Sequence, residues 1–372
     1  LQRGGGSNNK ELNAFFHDTL EGYSPSKSAY TKARKKVFAS CYDELNKQVH
    51  ELINDTATWK GHKVKAIDGS TVQLPKSEEC KDQYGSYSTG KDTKDICLAR
   101  ISIITNVLTK VVLSECMTEY NSSEKEQFHL QEDHIEKNDL LLMDSYYGKA
   151  SILSAIGSRE AHFILPLTDQ RHLVRRFLKN RSRKDELIEI VFKDANTKEV
   201  YRVKGRLLKK KIHGKNCALF TSLTDGQRYS LKDIFSIYEK RWGVEISYLH
   251  VKNKLELANW TGTSLLSIQQ DFKAKILLYN ITCALALELK PKKRKTDKRR
   301  KPTKRKRIIN FANAITQCRS AIIKLCKKME IGNIIKHFIK KVIENVEYSR
   351  QNQSNPRNHW VGKKYNINQK TA

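Results

Sequence analysis

Two aspartates in the first half of the chain each follow a short apolar run that is typical of a buried β-strand. Asp68 comes directly after residues 64–67, and Asp144 directly after residues 140–143. A carboxylate is costly to bury alone, so at such a position it either faces solvent or binds a cation. Taken singly, either residue is more often a turn residue or a helix cap. On neighbouring strands, the two form a candidate metal site.

A third acid, Glu245, lies on a helix that the apolar spacing predicts over residues 232–257. At about 100° per residue, four polar residues fall within roughly 60° of arc, beside a separate apolar stripe. These four are Tyr238, Arg241, Glu245 and Lys252. The pattern places an acid between two bases and a phenol. An ordinary surface helix, with Arg241 and Glu245 paired at i,i+4, is the other interpretation of the same spacing.

The elements around the two aspartates predict an α/β core. Strands are expected at residues 64–67, 101–104, 107–114, 140–143 and 162–165, and helices at 122–135 and 149–156. This order favours a mixed sheet with helices packed against it. A basic helix-like patch at 171–184 and strand-like runs at 187–192, 200–207 and 218–223 then predict a β-rich insertion before Glu245.

Helical regions flank this core. In the N-terminal region a helix is expected to open at Ser26 or Ser28, and its basic residues either lie against a phosphate backbone or form a solvated face. These residues are Lys27, Lys32, Arg34, Lys35 and Lys36. Further helices are expected at 264–289 and up to about 346, after a basic run at 292–307. That run either adds sequence-independent DNA affinity or is a solvated linker.

The chain is therefore divided into seven regions. These are a flexible lead-in (1–9), a helical N-terminal DNA-binding region (10–60), the first part of the core (61–165), the β-rich insertion (166–230), the rest of the core (231–290), a basic linker with C-terminal helices (291–348) and a disordered tail (349–372).

Charge indicates the kind of partner. The chain has 70 Lys and Arg against 40 Asp and Glu, a formal net charge of +30, so nucleic acid is the first partner to consider. No apolar stretch approaches the roughly 18 residues of a membrane-spanning helix, and we expect a cytoplasmic protein. The eight cysteines form no C-x-x-C pair, which argues against a zinc module and a disulfide framework.

The four polar residues of the predicted helix carry a family resemblance. Their spacing, Y-(2)-R-(3)-E-(6)-K, resembles the signature of the insertion-sequence-four family of Asp-Asp-Glu (DDE) transposases. Asp68-Gly69-Ser70 and Asp144-x-x-Tyr147 look like the other two active-site segments of that family. The resemblance covers about residues 26–289. It implies a ribonuclease-H-like core, a β-rich insertion before the glutamate, Mg²⁺ as cofactor, and excision and integration of a DNA element.

The resemblance gives each residue a role that suits phosphodiester chemistry. Asp68, Asp144 and Glu245 would be catalytic residues and metal ligands, because Mg²⁺, or Mn²⁺ in its place, prefers oxygen ligands and two such ions can activate the nucleophile and assist the leaving oxygen. Arg241 and Lys252 would hold phosphates, and Tyr238 would hydrogen-bond another phosphate oxygen. The hydrophobic neighbour of the site is Tyr147, which is expected to pack rather than react.

One departure from the family concerns base stacking. Some relatives use a tryptophan in the insertion to hold a flipped base during hairpin formation, whereas residues 166–230 contain no Trp. Tyr201, Phe220 and Tyr229 are the candidate replacements.

These observations predict a prokaryotic cut-and-paste transposase. Its partners would be double-stranded DNA, as element ends and target, and a second copy of the chain in the DNA complex, and it would associate with the nucleoid when bound. A ribonuclease-H-like nuclease without strand transfer is one alternative. A domesticated or inactive DNA-binding derivative of a transposase is the other.

Overall fold

The computed structural model describes residues 12–13, 15–16, 25–53, 57–87, 96–168, 171–193, 198, 200–212, 215–287, 289–291, 307–327 and 329–348. The predicted lead-in, nearly all of the basic run at 292–307 and the predicted tail lie outside these residues.

One large mixed sheet organises the chain. Its strands are β1 (Val64–Gln73), β2 (Ser86–Tyr87), β3 (Ile96–Asn106), β4 (Val112–Glu119), β5 (Leu140–Leu142), β6 (His162–Leu167), β7 (Asp185–Lys193), β8 (Val200–Ile212) and β9 (Lys215–Thr221). β1, β3 and β4 form an antiparallel meander, while β5 pairs parallel with β1 and β6 parallel with β5. The order β4-β3-β1-β5-β6 is the ribonuclease-H-like arrangement, which confirms the predicted fold class.

The β-rich insertion continues this sheet. Three strands, β7 to β9, are present where three strand-like runs were predicted, and β9 pairs antiparallel with β6. The order therefore runs on as β6-β9-β8-β7. The insertion buries its strand edge against the core, so it is not a separate sheet.

Two strand boundaries differ from the predictions. β1 does not end at Ile67 but continues to Gln73, because its antiparallel pairing with β3 extends from Lys65 to Gln73. The strand predicted at 107–114 begins only at Val112, because residues 107–111 form a turn. The Asn106 side chain closes this turn by accepting hydrogen bonds from the N–H groups of Leu108 and Thr109, at 2.8 and 3.2 Å.

The helices pack on both faces of the sheet and at its ends. They are α1 (Lys27–Arg34), α2 (Cys41–Ile53), α3 (Glu78–Tyr84), α4 (Glu124–His129), α5 (Ala150–Ser158), α6 (His172–Lys179), α7 (Leu231–Glu239), α8 (Trp242–Leu249), α9 (Leu265–Ala286), α10 (Phe311–Cys326) and α11 (Ile331–Glu344). A short ribbon of β10 (Arg307–Ile309) and β11 (Val346–Tyr348) flanks the last two helices. None of the helices in the described part of the chain has the length and apolar character that crossing a bilayer requires.

Two predicted helices are interrupted. The helix predicted at 122–135 is α4, which starts from a capping box between Ser123 and Glu126 and gives way to a 3₁₀ turn at Glu132–His134. The helix predicted at 232–257 consists of α7, α8 and a π-helical turn at His250–Lys254. Around Gly243, a residue of low helix propensity, the backbone bonds tighten to i→i−3, which separates α7 from α8.

The core lies on both faces of the sheet. Leu140 and Leu142 of β5 face one apolar cluster, shared with α7, α8 and α9, while Leu141 and Met143 face a second cluster, shared with α4, α5 and α6. β5 is thus buried on both sides, as its continuous apolar run predicted. Tyr147 is fully buried in the second cluster, which confirms its predicted packing role.

The N-terminal helices dock on the core through polar contacts. Ser26 caps α1, as predicted, and Arg34 at the end of α1 binds Asp271 of α9 at 2.9 Å. The Arg34 guanidinium also bonds Gln270 and the Ser267 carbonyl. Arg34 therefore joins α1 to α9, which removes it from the basic residues that α1 presents to solvent.

Candidate active site

The register of the sheet places the two aspartates side by side. Ala66 of β1 pairs with Leu142 of β5, so Asp68 and Asp144 each lie two residues beyond the last paired positions. Adjacent strands are about 4.8 Å apart, which brings the two backbones close together. Side chains alternate along a strand, and both aspartates therefore point to the face on which Ala66 and Leu142 contact the helix cluster.

Glu245 reaches the same place from α8. A cleft of about 390 Å³ is lined by Asp68, Gly69, Ser70, Asp144, Arg241, Trp242, Glu245 and Tyr248. The three acids therefore come from the middle of β1, the segment just after β5 and the first turn of α8. The sequence predicted Asp68 at the end of its strand, but β1 continues beyond it. Asp68 lies just past Ala66, where the parallel pairing of β1 with β5 stops.

Two tyrosine hydroxyls fix the helices beside the aspartates. Tyr248 of α8 donates to the carbonyl of Asp68 at 2.7 Å, and Tyr238 of α7 donates to the carbonyl of Met143 at 3.0 Å. Each helix on either side of Arg241 is thus tied to the backbone at or next to an aspartate. Tyr238 was predicted to bind phosphate, and that role stays a prediction. Sequence reasoning assigned Tyr248 no role at the site, because nothing in the spacing shows where its hydroxyl points.

Arg241 is almost buried in this cleft, at 8 % exposure. It donates to Glu245 at 3.1 Å, and its guanidinium carbon lies 5.0 Å from the ring centre of Trp242. The i,i+4 pair of an ordinary surface helix therefore exists, but it lies at the cleft with Asp68 and Asp144. The Arg241 Nε is buried and has no hydrogen-bond partner among the residues that the structure describes. A buried unpaired donor is costly, which favours a ligand at this position.

The acids influence one another electrostatically. The pKa of the Asp68 carboxyl is raised to about 6, chiefly by burial; the Gly69 N–H and Arg241 lower this pKa, and Glu245 and Asp144 raise it. A fourth acid, Glu124 of α4, packs over Gly69, where an added Cβ would lie 3.1 Å from the Glu124 Cγ. Burial raises the pKa of Glu124, and Asp144 adds to that increase. Sequence reasoning missed Glu124, because α4 approaches the cleft only through tertiary packing.

Lys252 lies in the π-helical turn beyond α8. Its ammonium group donates to the Ser70 hydroxyl and, at 2.6 Å, to the Thr71 carbonyl. These contacts hold it against β1, and it is not one of the residues that line the cleft. Its predicted role in phosphate binding stays a prediction.

The donors in the cleft are chemically suited to a hard divalent cation, since all are carboxylate oxygens. Each carboxylate accepts one local hydrogen bond: Asp68 from the Gly69 N–H, Asp144 from the Tyr146 N–H and Glu245 from Arg241. Within the described ranges, no three His, Cys, Asp or Glu side chains form a closed ligand set for one ion. The oxygen ligands of these residues therefore fit a divalent ion. Repulsion between the negative carboxylates keeps the three side chains apart.

The predicted stacking residues are mostly enclosed. Phe220 is fully buried and Tyr229 is 5 % exposed, so neither ring can receive a base, and these two predictions are wrong. Phe220 packs against the rings of Phe163 and Phe192, and Tyr229 stacks on Trp59. Tyr201 is half-buried with its hydroxyl over Gly157. Trp242, which is 54 % exposed, presents an aromatic ring at the cleft itself.

Comparison with known proteins agrees with this geometry. The family described as Transposase DDE domain matches residues 59–281, more than half of the chain, and this range contains all three acids. The chain belongs to this family of DDE transposases. The predicted family resemblance is thereby confirmed.

This chain is similar to two known proteins at low sequence identity. It is 23% identical over 276 residues to the transposase InsG for insertion sequence element IS4 of Escherichia coli (strain K12), a match that covers 68% of this chain and 60% of that protein. A cryo-EM structure of the piggyBac transposase synaptic complex with hairpin DNA is similar with a TM-score of 0.41 and 11% identity, over 80% of this chain and 60% of that one. The chain thus spans about 60% of the length of each.

Proposed function

We propose that this chain is a metal-dependent transposase that cuts DNA at the ends of an insertion sequence and joins the ends to a target. The observation that carries the proposal is the convergence of Asp68, Asp144 and Glu245 from three separate elements on one cleft, in a chain of the DDE family. Cut-and-paste transposition requires both hydrolysis and strand transfer at such a centre.

The three acids would hold Mg²⁺, or Mn²⁺ in its place. When bound, two such ions supply an activated oxygen nucleophile and stabilise charge on the scissile phosphate. Arg241 keeps one N–H on Glu245, and its Nε has no partner in the described part of the chain, so it can orient the carboxylate and hold a phosphate oxygen at once. Tyr248 and Tyr238 bind the backbone of β1 and of the residue that follows β5, and keep the acids in place.

DNA is the proposed partner. The net charge of +30 supports it, and so does the similar protein that is named as the transposase of an insertion sequence. We also propose that two copies of the chain act together on paired ends, in the prokaryotic cytoplasm and on nucleoid DNA.

The test uses duplexes made from the DNA that flanks the gene, with Mg²⁺ and purified protein. Asp68→Ala, Asp144→Ala and Glu245→Ala should each abolish cleavage and leave DNA binding largely intact, because each removes a metal ligand rather than a phosphate contact. Asp133→Ala, at a highly exposed acid outside the cleft, is the matched control.

The products separate the alternatives. Cutting and joining by the wild-type protein supports a transposase, whereas cutting without joining supports the nuclease alternative. Binding without cutting, by a folded wild-type protein, supports the inactive derivative. Cleavage at the wild-type rate by any of the three variants would remove that residue from the centre.

A further inference from the structure

A strongly basic pocket of about 630 Å³ lies at the surface of the β-rich insertion. Seven of the eleven residues that line it are Lys or Arg, and none of these eleven is acidic. Its exposed cations, which define what we call the basic pocket, are Arg175, Lys179, Arg181, Lys184, Lys210 and Lys211. The pocket is separate from the carboxylate cleft, with which it shares no lining residue.

The pocket is held in shape by a buried lysine beneath it. Lys209 of β8, at 7% exposure, donates to the carbonyls of Phe177 and Asn180 at the end of α6, and its own N–H donates to the Lys184 carbonyl at 2.8 Å. The Asn180 side chain then accepts from the N–H groups that follow, which closes a turn. The segment that carries the exposed cations is therefore fixed on β8 before any ligand binds.

The concentration of like charge requires compensation. Cations within one pocket repel each other, and a bound polyanion relieves this repulsion. Binding also releases the counterions that were condensed on the polyanion. Lys210 has an acidic neighbour, Glu239, at 3.7 Å. Glu239 is the last residue of α7 and stands two residues before Arg241, so this contact connects the pocket to the helix that leads into the cleft.

Sheet register places the pocket on the same edge of the sheet as the acids. Leu142 of β5 is level with Ile164 of β6, Thr221 of β9 and Arg206 of β8. Lys209 to Lys211 lie further along β8 in the direction in which Asp144 follows β5. Three strand spacings and one to three residues of rise separate them, a distance of about 15 to 20 Å.

We propose that the basic pocket binds the phosphodiester backbone of the same DNA duplex whose scissile phosphate lies in the carboxylate cleft. The separation corresponds to about five base pairs of B-form DNA. This inference rests on the proposed function, since it assumes that DNA occupies the cleft. The pocket would supply sequence-independent affinity and fix the direction in which the duplex leaves the acids.

The experiment measures DNA affinity as a function of salt by fluorescence anisotropy. The probe is a fluorescein-labelled DNA duplex of arbitrary sequence and roughly three helical turns. The triple variant Lys179→Gln, Arg181→Gln, Lys184→Gln should lower affinity about tenfold or more and reduce the salt slope by up to roughly three. The control variant Lys137→Gln, Lys336→Gln, Lys340→Gln removes the same charge at exposed sites outside the pocket. It should change the DNA affinity and the salt slope less than the pocket variant does.

Hydrogen exchange provides a second readout that does not depend on substitution. The wild-type amides of residues 172–184 should gain protection when the duplex is added. Equal losses of affinity in both triple variants, or an unchanged salt slope in the pocket variant, would overturn the proposal. So would protection of the same amides by inorganic phosphate alone, or a loss of affinity confined to an RNA duplex of equal length.

Failure here is distinguishable from failure of the proposed function. If the pocket variant binds and cuts like the wild type while the Asp68, Asp144 and Glu245 variants are inactive, the pocket proposal is wrong and the transposase proposal stands. If the wild type does not cut but the pocket variant still loses DNA affinity, the pocket binds DNA and the transposase proposal is wrong.

Discussion

The Tyr248 hydroxyl donates a hydrogen bond to the backbone carbonyl of Asp68 at 2.7 Å. Tyr248 lies one helical turn beyond Glu245, so the bond joins two of the three elements that carry the acids. A buried carbonyl needs such a partner, and here the partner also sets the distance between α8 and β1. Position and stability of the cleft therefore depend on the same contact.

We expect Tyr248→Phe to reduce the rate of DNA cleavage by about tenfold, because a shift of α8 displaces Glu245. Loss of the bond should also lower the free energy of unfolding by about 1 kcal/mol. Tyr279→Phe is the matched control, since the Tyr279 hydroxyl is also buried and donates to Ser247 of α8 at 3.0 Å. Urea unfolding and single-turnover cleavage measure both effects. A similar loss of rate in both variants would indicate a structural role only.

Arg241 and Lys252 should differ in their effects. Arg241→Gln is expected to lower the slope of log affinity against log salt by about one, since it would remove the proposed phosphate contact at the cleft. Lys252→Ala should do the same if Lys252 reaches DNA, and should also destabilise the fold because Ser70 and Thr71 lose their partner. Salt titrations of DNA binding, combined with urea unfolding, distinguish these outcomes. A Lys252 variant with reduced stability and an unchanged slope would show that Lys252 only supports β1.

Glu115 gives the fold a defined pH dependence. Burial raises the pKa of this carboxyl to about 7, although Lys273 lowers it. A raised pKa means that the folded state favours the protonated acid, so this contribution to stability is full below the unfolded pKa of 4.5 and is lost as the pH rises through about 7.

Glu115→Gln should therefore gain stability relative to the wild type as the pH increases from 5 to 8, by an amount on the order of 2 kcal/mol. Urea unfolding at both pH values provides the measurement. Glu119→Gln, an exposed glutamate on the same strand β4, is the control. A constant difference between the Glu115 variant and the wild type at both pH values would contradict the expectation.

Gly69 and Glu124 should be energetically coupled. A Cβ at position 69 would lie 3.1 Å from the Glu124 Cγ, which is tighter than ordinary packing, so Gly69→Ala forces α4 or the Glu124 side chain to move. We expect Gly69→Ala to destabilise the protein by about 1 kcal/mol, and Glu124→Ala to relieve most of that loss in the double variant. Unfolding of the two single variants and the double variant completes the cycle. Additive effects would show that Gly69 is required for a reason other than Glu124.

The sequence by itself determined the alternation of core elements, the three acids and the β-rich insertion. Its signals are local: period-2 and continuous apolar runs for β1 and β5, and helical spacing around Glu245. The apolar runs of β1 and β5, each followed by an aspartate, predicted that these strands are neighbours, whereas their parallel pairing is known from the structure. Because side chains alternate between the two faces along a strand, this pairing puts Asp68 and Asp144 on the same face of the sheet.

Only the tertiary structure decided which contacts complete the site. The bond from Tyr248 to Asp68, the position of Lys252 on β1 and the approach of Glu124 all depend on atoms that are far apart in the chain. The same is true of the basic pocket, whose cations lie on α6, on the segment between α6 and β7, and on β8. Side-chain direction at long range is set by packing and register, and a local pattern of residue types does not contain that information.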